Sequence, residues 1–133
     1  MPYTIALKLK NIRHVYGDTV AVDDFNIDVH AGEVVCLLGP SGCGKTTALR
    51  VAAGLETLQQ GEVSVGGALV ADSRTAVPPE QRGVGLVFQD YALFPHLTVI
   101  QNVKFGLSNL LAGEKNIRAM TVLEQVGMKW ATA

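Results

Sequence analysis

The stretch Gly39-Pro40-Ser41-Gly42-Cys43-Gly44-Lys45-Thr46-Thr47 decides how the rest of the chain is read. Gly39, four free positions, then Gly44, Lys45 and Thr46 fit the phosphate-binding loop pattern. Successive backbone N–H groups curl around a polyphosphate only where residues lack a Cβ or tolerate unusual φ/ψ, and Gly39, Gly42 and Gly44 supply that freedom. Lys45 is a flexible cation suited to the β- and γ-phosphates, and the Thr46 hydroxyl is a hard ligand suited to Mg²⁺. A helix beginning here adds its dipole. The flanks fit. Val34 to Leu38 is a continuous apolar run that predicts a strand buried on both faces of a parallel sheet, with Cys36 inside it. Ala48, Leu49, Val51, Ala52 and Ala53 predict a helix that stops at Gly54. Strand, loop and helix in that order predict an α/β fold with a nucleoside-triphosphate site.

With 133 residues the chain is sized for one domain or part of one, burying about 65% of its unfolded surface. Eleven basic against 12 acidic residues, with no charge run, leave no electrostatic footprint for nucleic acid or anionic lipid. The two cysteines, Cys36 and Cys43, are too few for a disulfide framework and suit a reducing cytosol, with Cys43 serving packing rather than chemistry. No apolar stretch approaches the roughly 20 residues that span a bilayer. A membrane role therefore requires a partner.

Ile5, Leu7 and Leu9 alternate with Lys8 and Lys10, the period of a strand with one wet face. The pattern resumes after the turn at Tyr16-Gly17-Asp18, with Val20, Val22, Phe25, Ile27 and Val29 inward. His14 and His30 are read as surface histidines, and no His/Cys/Asp cluster has metal-site spacing. Val63 and Val65, Gly66-Gly67, then Ala68 to Val70 predict a β-hairpin. Asp72 to Arg82 is a loop, and Val84 to Phe88 is predicted as a second core strand. Thr98 and Gln101 make a capping box for a short helix ending at Gly106. After a linker from Ser108 to Gly113, Ile117, Met120, Leu123 and Val126 stripe a last helix that Gly127 terminates.

A phosphate-loop protein also needs an acid at the end of a core strand to hold Mg²⁺, and spacing alone offers Asp90. That reading makes a small kinase conceivable; a GTPase would need an Asn-Lys-x-Asp motif, which the chain lacks. The alternative takes Gln89 as the functional residue. On this reading the chain resembles the ATP-binding subunits of ABC transporters over nearly its whole length. The resemblance rests on the aromatic Tyr16 upstream of the loop, on GPSGCGKTT at 39–47 and on VPPEQRGVGLVFQDYALFPHLTV at 77–99. It is strongest to importer subunits for ferric iron, polyamines, sulfate or sugars, with ferric iron the expected cargo.

The resemblance implies a role for each matching position. Tyr16 stacks on adenine, and Gly39, Pro40, Ser41, Gly42, Cys43, Gly44, Lys45, Thr46 and Thr47 hold the phosphates of ATP. Lys45 and Gln89 are the catalytic positions, and Thr46 and Gln89 reach Mg²⁺. Asp90, Tyr91, Phe94, Pro95 and His96 lie beside a membrane-facing surface, where Tyr91 and Phe94 suit a partner groove. The implied partners are transmembrane permease subunits, a second ATP-binding subunit and, indirectly, a substrate-binding protein, at the cytoplasmic face of the inner membrane. The Leu-Ser-Gly-Gly-Gln signature, the strand ending in an Asp-Glu pair and the switch histidine of intact members do not occur in the 133 residues. The expectation is therefore a P-loop core of ABC type with an antiparallel β subdomain over residues 1–88, followed by the start of a helical subdomain over 89–133. Alone, such a chain binds ATP with little turnover.

Overall fold

The computed structural model describes residues 4–40 and 42–132 of the chain. They fall in two compact units, Met1–Leu86 and Val87–Ala133.

Among the described residues the first unit is a four-stranded antiparallel sheet with one α-helix packed on it and a 3₁₀ turn at Pro79–Gln81. Strands β1 (Ile5–Tyr16) and β2 (Thr19–His30) form a long hairpin, and β3 (Gln60–Val65) and β4 (Ala68–Ala71) form a second, in the order β2-β1-β3-β4. The tight turn Gly66-Gly67 joins the second pair as its sequence demands, with φ of 58° and 84°. Helix α1 (Lys45–Ala53) lays Val51 and Ala52 on Leu9, Ile12, Val22, Val63, Val70 and Ala71 of the sheet. Ile12, Val51 and Val63 are its largest fully buried side chains. Each such side chain contributes about 1.5–3 kcal/mol by leaving water. This face is what anchors α1, and with it the loop at its start.

The alternation of β1 does not run straight through. Leu9 is buried at an odd position, but beyond it the buried residues are Ile12 and His14, at even ones. The switch occurs at a bulge centred on Asn11, where φ is +50° and the pairing register with both neighbours shifts. The bulge is fastened by side chains, since Asn11 N–H donates to Asn26 Oδ1 at 2.8 Å and Asn11 Nδ2 donates to Asp24 Oδ1 at 2.8 Å. His14, expected on the surface, is therefore only 2% exposed.

Two predicted strands do not form. Val34 to Leu38 and Val84 to Phe88 have no strand pairing, and Val34, Leu38 and Val87 are 90%, 92% and 95% exposed. A strand buried on both faces needs hydrogen-bonded neighbours, and the four strands among the described residues bond only to one another. Cys36, expected inside a buried strand, is accordingly an exposed thiol, as is Cys43.

The second unit holds helices α2 (Val99–Phe105) and α3 (Ala112–Gln125) and a last 3₁₀ turn, Lys129–Thr132. The capping box on α2 is formed, with Gln101 N–H donating to Thr98 Oγ1 at 3.3 Å and Thr98 N–H to Gln101 Oε1 at 2.8 Å. Helix α3 starts at Ala112, inside the expected linker, because the Glu114 carboxylate accepts from Leu111 N–H at 3.2 Å and caps the turn. Ala119 and Leu123 are its buried residues, while Ile117, Met120 and Val126 of the expected stripe are exposed.

Candidate functional site

Helix α1 begins where the glycine-rich loop ends. Gly44 is its N-cap at φ +89°, no side chain caps the helix, and its first turn carries no acid. A helix start with free amide donors and no local carboxylate is arranged for an anion. The Lys45 ammonium folds back to donate to the Gly39 carbonyl, and Cys43 N–H donates to the Pro40 carbonyl at 3.3 Å. Thr46 is exposed and Thr47 is buried. A cavity of about 210 Å³ lined by Val22, Phe25, Leu38, Cys43, Gly44 and Lys45 opens beside the loop. Ser41 lies outside the described residues.

Gly44 has a second reason to be glycine. A Cβ there would stand 2.1 Å from the carbonyl oxygen of Ala21 and 3.0 Å from Val22 Cγ2, so the loop is pressed directly on β2. At the other end of α1, Gly54 closes the helix at φ +84°, and the buried Arg82 takes over the last carbonyls. Arg82 donates from Nη1 to Val51 O at 3.1 Å and Ala52 O at 3.3 Å, and from Nε to Val77 O at 2.7 Å. Its guanidinium thus caps the negative end of the helix dipole and ties it to the loop before Pro78. Burial lowers the affinity of this guanidinium for its proton, and it remains a cation. In the same loop the Asp72 carboxylate accepts from Arg74 N–H at 2.8 Å and Thr75 N–H at 2.6 Å, which holds its pKa below the usual carboxylate value.

Tyr16, at the end of β1, reaches the same helix. Its hydroxyl lies 3.4 Å from Thr47 Oγ1 and donates to Glu56 Oε2 at 3.2 Å, while the residue stays 46% exposed. The Glu56 Oε1 atom lies 3.7 Å from Nε2 of His14, and the His14 ring meets the Tyr16 ring at a centroid distance of 4.5 Å and an angle of 64°. The sequence pattern points to neither Glu56 nor His14. The parity switch between Leu9 and Ile12 is the signal that would have turned His14 inward.

The remaining expected positions belong to the second unit. Gln89 and Asp90 are exposed in a turn, so Asp90 does not end a strand. Tyr91 and Ala92 follow at φ +67° and +46°, and Tyr91 is 86% exposed. Phe94 packs on Phe105 at 4.4 Å and on His96 at 6.0 Å. Asn102 of α2 fastens this loop, accepting from Phe94 N–H at 2.9 Å and donating to the Phe94, Leu97 and Thr98 carbonyls at 3.2, 3.2 and 2.9 Å. Pro95 lies within that clamp. Among the described residues no helix is long and apolar enough to cross a membrane.

Comparison with known proteins gives one answer at the level of sequence and of fold. The chain is 49% identical over 110 residues to the maltose/maltodextrin import ATP-binding protein MalK of Salmonella typhimurium, covering 83% of the chain and 28% of that protein. It is 48% identical over the same length to the protein of that name from Escherichia coli K12. The chain thus spans 28% of the length of these relatives. The dimeric bacterial ABC transporter cassette MJ0796 superposes with a TM-score of 0.77 at 30% identity, over 89% of this chain and 56% of that one. CbiO1 of Clostridium perfringens, part of the ABC transporter complex cbiONQ, does so with a TM-score of 0.75 at 28% identity, over 97% and 53%. Residues 22–132 match the family described as ABC transporter, and with its P-loop ATPase fold the chain belongs to that family.

Proposed function

We propose that the chain is the nucleotide-binding front of the ATP-binding subunit of an importer, and that the cargo of the transporter is a sugar. The observation that carries the reading is the start of α1, where an uncapped, acid-free helix terminus, a lysine and an exposed threonine hydroxyl converge on one loop. These groups fit a Mg²⁺-bound triphosphate. The amides from Gly42 to Thr47 surround the phosphates, and Lys45 exchanges the Gly39 carbonyl for β- and γ-phosphate oxygens. Thr46 offers its hydroxyl to Mg²⁺, which when bound neutralises charge on the phosphates. Gly39, Pro40 and Cys43 shape the loop, and Ser41 is a phosphate-binding position by the family resemblance alone. Tyr16 would stack on the base, and Gln89, carried over from the family resemblance, would offer its carboxamide to the attacking water and to Mg²⁺.

In the whole protein this site drives hydrolysis of ATP, coupled to permease subunits and to a second ATP-binding subunit. Tyr91 and the clamp around Phe94 and His96 serve as the permease-facing surface, beside Asp90 and Pro95. The subunit sits at the cytoplasmic face of the inner membrane, and a substrate-binding protein delivers the cargo outside. The relatives named for maltose and maltodextrin support a sugar, and the ferric-iron expectation, which has no support among them, is set aside. The kinase alternative drew on Asp90 at the end of a strand, and neither the strand nor the family match favours it. Alone, the chain is expected to bind ATP with little turnover, because the positions matched to the family supply phosphate and Mg²⁺ contacts rather than a general base.

Calorimetry with Mg·ATP tests the reading. Lys45→Ala removes a charge-assisted phosphate contact and is expected to weaken binding by about 2–3 kcal/mol. An affinity within twofold of the wild type would refute the site.

A further inference from the structure

We infer that Glu56 and His14 are positioning residues that hold the Tyr16 ring ready as a platform for the nucleobase of the bound triphosphate. The inference rests on the reading of Gly39–Thr47 as the triphosphate site. One carboxylate serves two rings, since Glu56 Oε2 accepts from the Tyr16 hydroxyl at 3.2 Å and Glu56 Oε1 stands 3.7 Å from His14 Nε2. A second point fixes the same hydroxyl, Thr47 Oγ1 at 3.4 Å, two residues beyond Lys45 on α1. His14 then stands against the Tyr16 ring, with ring centroids 4.5 Å apart, while Tyr16 keeps 46% of its surface open.

Packing alone does not account for the cluster. His14 is 2% exposed, and its Nδ1 is buried with no hydrogen-bond partner among the described residues. An apolar side chain would fill that space without stranding a polar atom. What the imidazole adds is a T-shaped ring contact with Tyr16 and a nitrogen beside the carboxylate that anchors Tyr16. Glu56 lies just past the C-terminal glycine of α1, so Tyr16 at the end of β1 is tied to both ends of the helix, through Thr47 and Glu56.

The consequence is preorganisation. An exposed tyrosine free to rotate loses that freedom when a base stacks on it, whereas a ring held at its hydroxyl and flank has lost it already. Releasing the ring therefore lowers affinity by a factor of about 3 to 10 for a ligand that carries a base, and leaves it unchanged for one that does not.

The test compares calorimetric affinities for Mg·ATP and for magnesium tripolyphosphate, which has the phosphates without the base. In the wild type the ratio of the two affinities reports the platform. Tyr16→Ala abolishes the base-dependent part. Glu56→Ala and Tyr16→Phe each lower the ratio by about 3- to 10-fold with tripolyphosphate affinity within twofold of wild type, and Glu56→Gln, which keeps an acceptor, restores it. His14→Leu lowers the ratio in the same way. Failure of the wild type to bind tripolyphosphate would overturn the triphosphate reading itself. If Tyr16→Ala collapses the ratio while Tyr16→Phe and Glu56→Ala leave it unchanged, the site stands and the positioning role of Glu56 and His14 is refuted.

Discussion

In a Gly44→Ala variant the new methyl carbon would lie 2.1 Å from Ala21 O, 3.0 Å from the Ala21 carbonyl carbon and 3.0 Å from Val22 Cγ2. Ordinary van der Waals contact requires more than 3 Å to the oxygen, so β2 or the loop must retreat by about 1 Å from an otherwise close-packed face. Overpacking of that kind costs about 1–3 kcal/mol, and holding alanine at φ +89° adds about 1–2 kcal/mol. The sum, roughly 2–5 kcal/mol, is a large part of the total stability of a small domain. Gly42 provides the control. It has a similar φ of +83°, but a Cβ there meets nothing within 4 Å, so Gly42→Ala bears the backbone term alone. Urea unfolding followed by circular dichroism measures both, and the difference between the variants isolates the contact with β2. Gly44→Ala is expected to be less stable than Gly42→Ala by about 1–3 kcal/mol. Equal stabilities would show that the loop does not rest on β2 as described.

Arg82→Met keeps the length of the side chain but strands the carbonyls of Val51, Ala52 and Val77, and is expected to cost about 2–4 kcal/mol in urea unfolding; a loss below about 0.5 kcal/mol would refute the capping role. Asp24, Glu33 and Asp72 are held below their usual carboxylate values, first by the Asn11 side chain, the His30 amide and the Arg74 amide respectively. A carboxyl whose folded pKa is depressed contributes stability that is present above its unfolded value, near about 4, and is lost as pH falls through the folded value. The urea midpoint therefore drops below about pH 4, and Asp72→Ala flattens the drop; an unchanged slope in the variant would contradict the assignment. In the assembled transporter, Tyr91→Asp places a charge on an exposed residue and is expected to release the subunit from membranes while leaving Mg·ATP binding intact. Normal membrane association would move the docking surface elsewhere.

The parts legible in the sequence are those fixed by neighbours in the chain. The strand-flanked turn at Gly66-Gly67, the box of Thr98 and Gln101 and the helix Lys45–Ala53 stopped by Gly54 each depend on residues a few positions apart. Val34 to Leu38 and Val84 to Phe88 were misread because an apolar run specifies a strand only where another strand accepts its hydrogen bonds, and periodicity does not reveal that partner. His14 was misplaced for a different reason. The two-residue period of β1 holds only as far as Leu9, and the bulge fastened by Asn11, Asp24 and Asn26 turns the following residues over. Glu56 and Asn102 carry no motif, and their roles come from contacts 40 and 8 residues away in the chain. Gly44 was legible as a phosphate-loop glycine, but its approach to the Ala21 carbonyl is a tertiary fact.

The central claim is that the start of α1 is a triphosphate site with Tyr16 at its edge, and amide chemical shifts during titration of the ¹⁵N-labelled chain with Mg·ATP test it most directly. The account predicts saturable shifts that are largest at Gly42 to Thr47, with a second group at Tyr16 and Glu56, and their loss in Lys45→Ala. Shifts that do not saturate, or that centre on other residues while Gly42 to Thr47 stay unmoved, would contradict it.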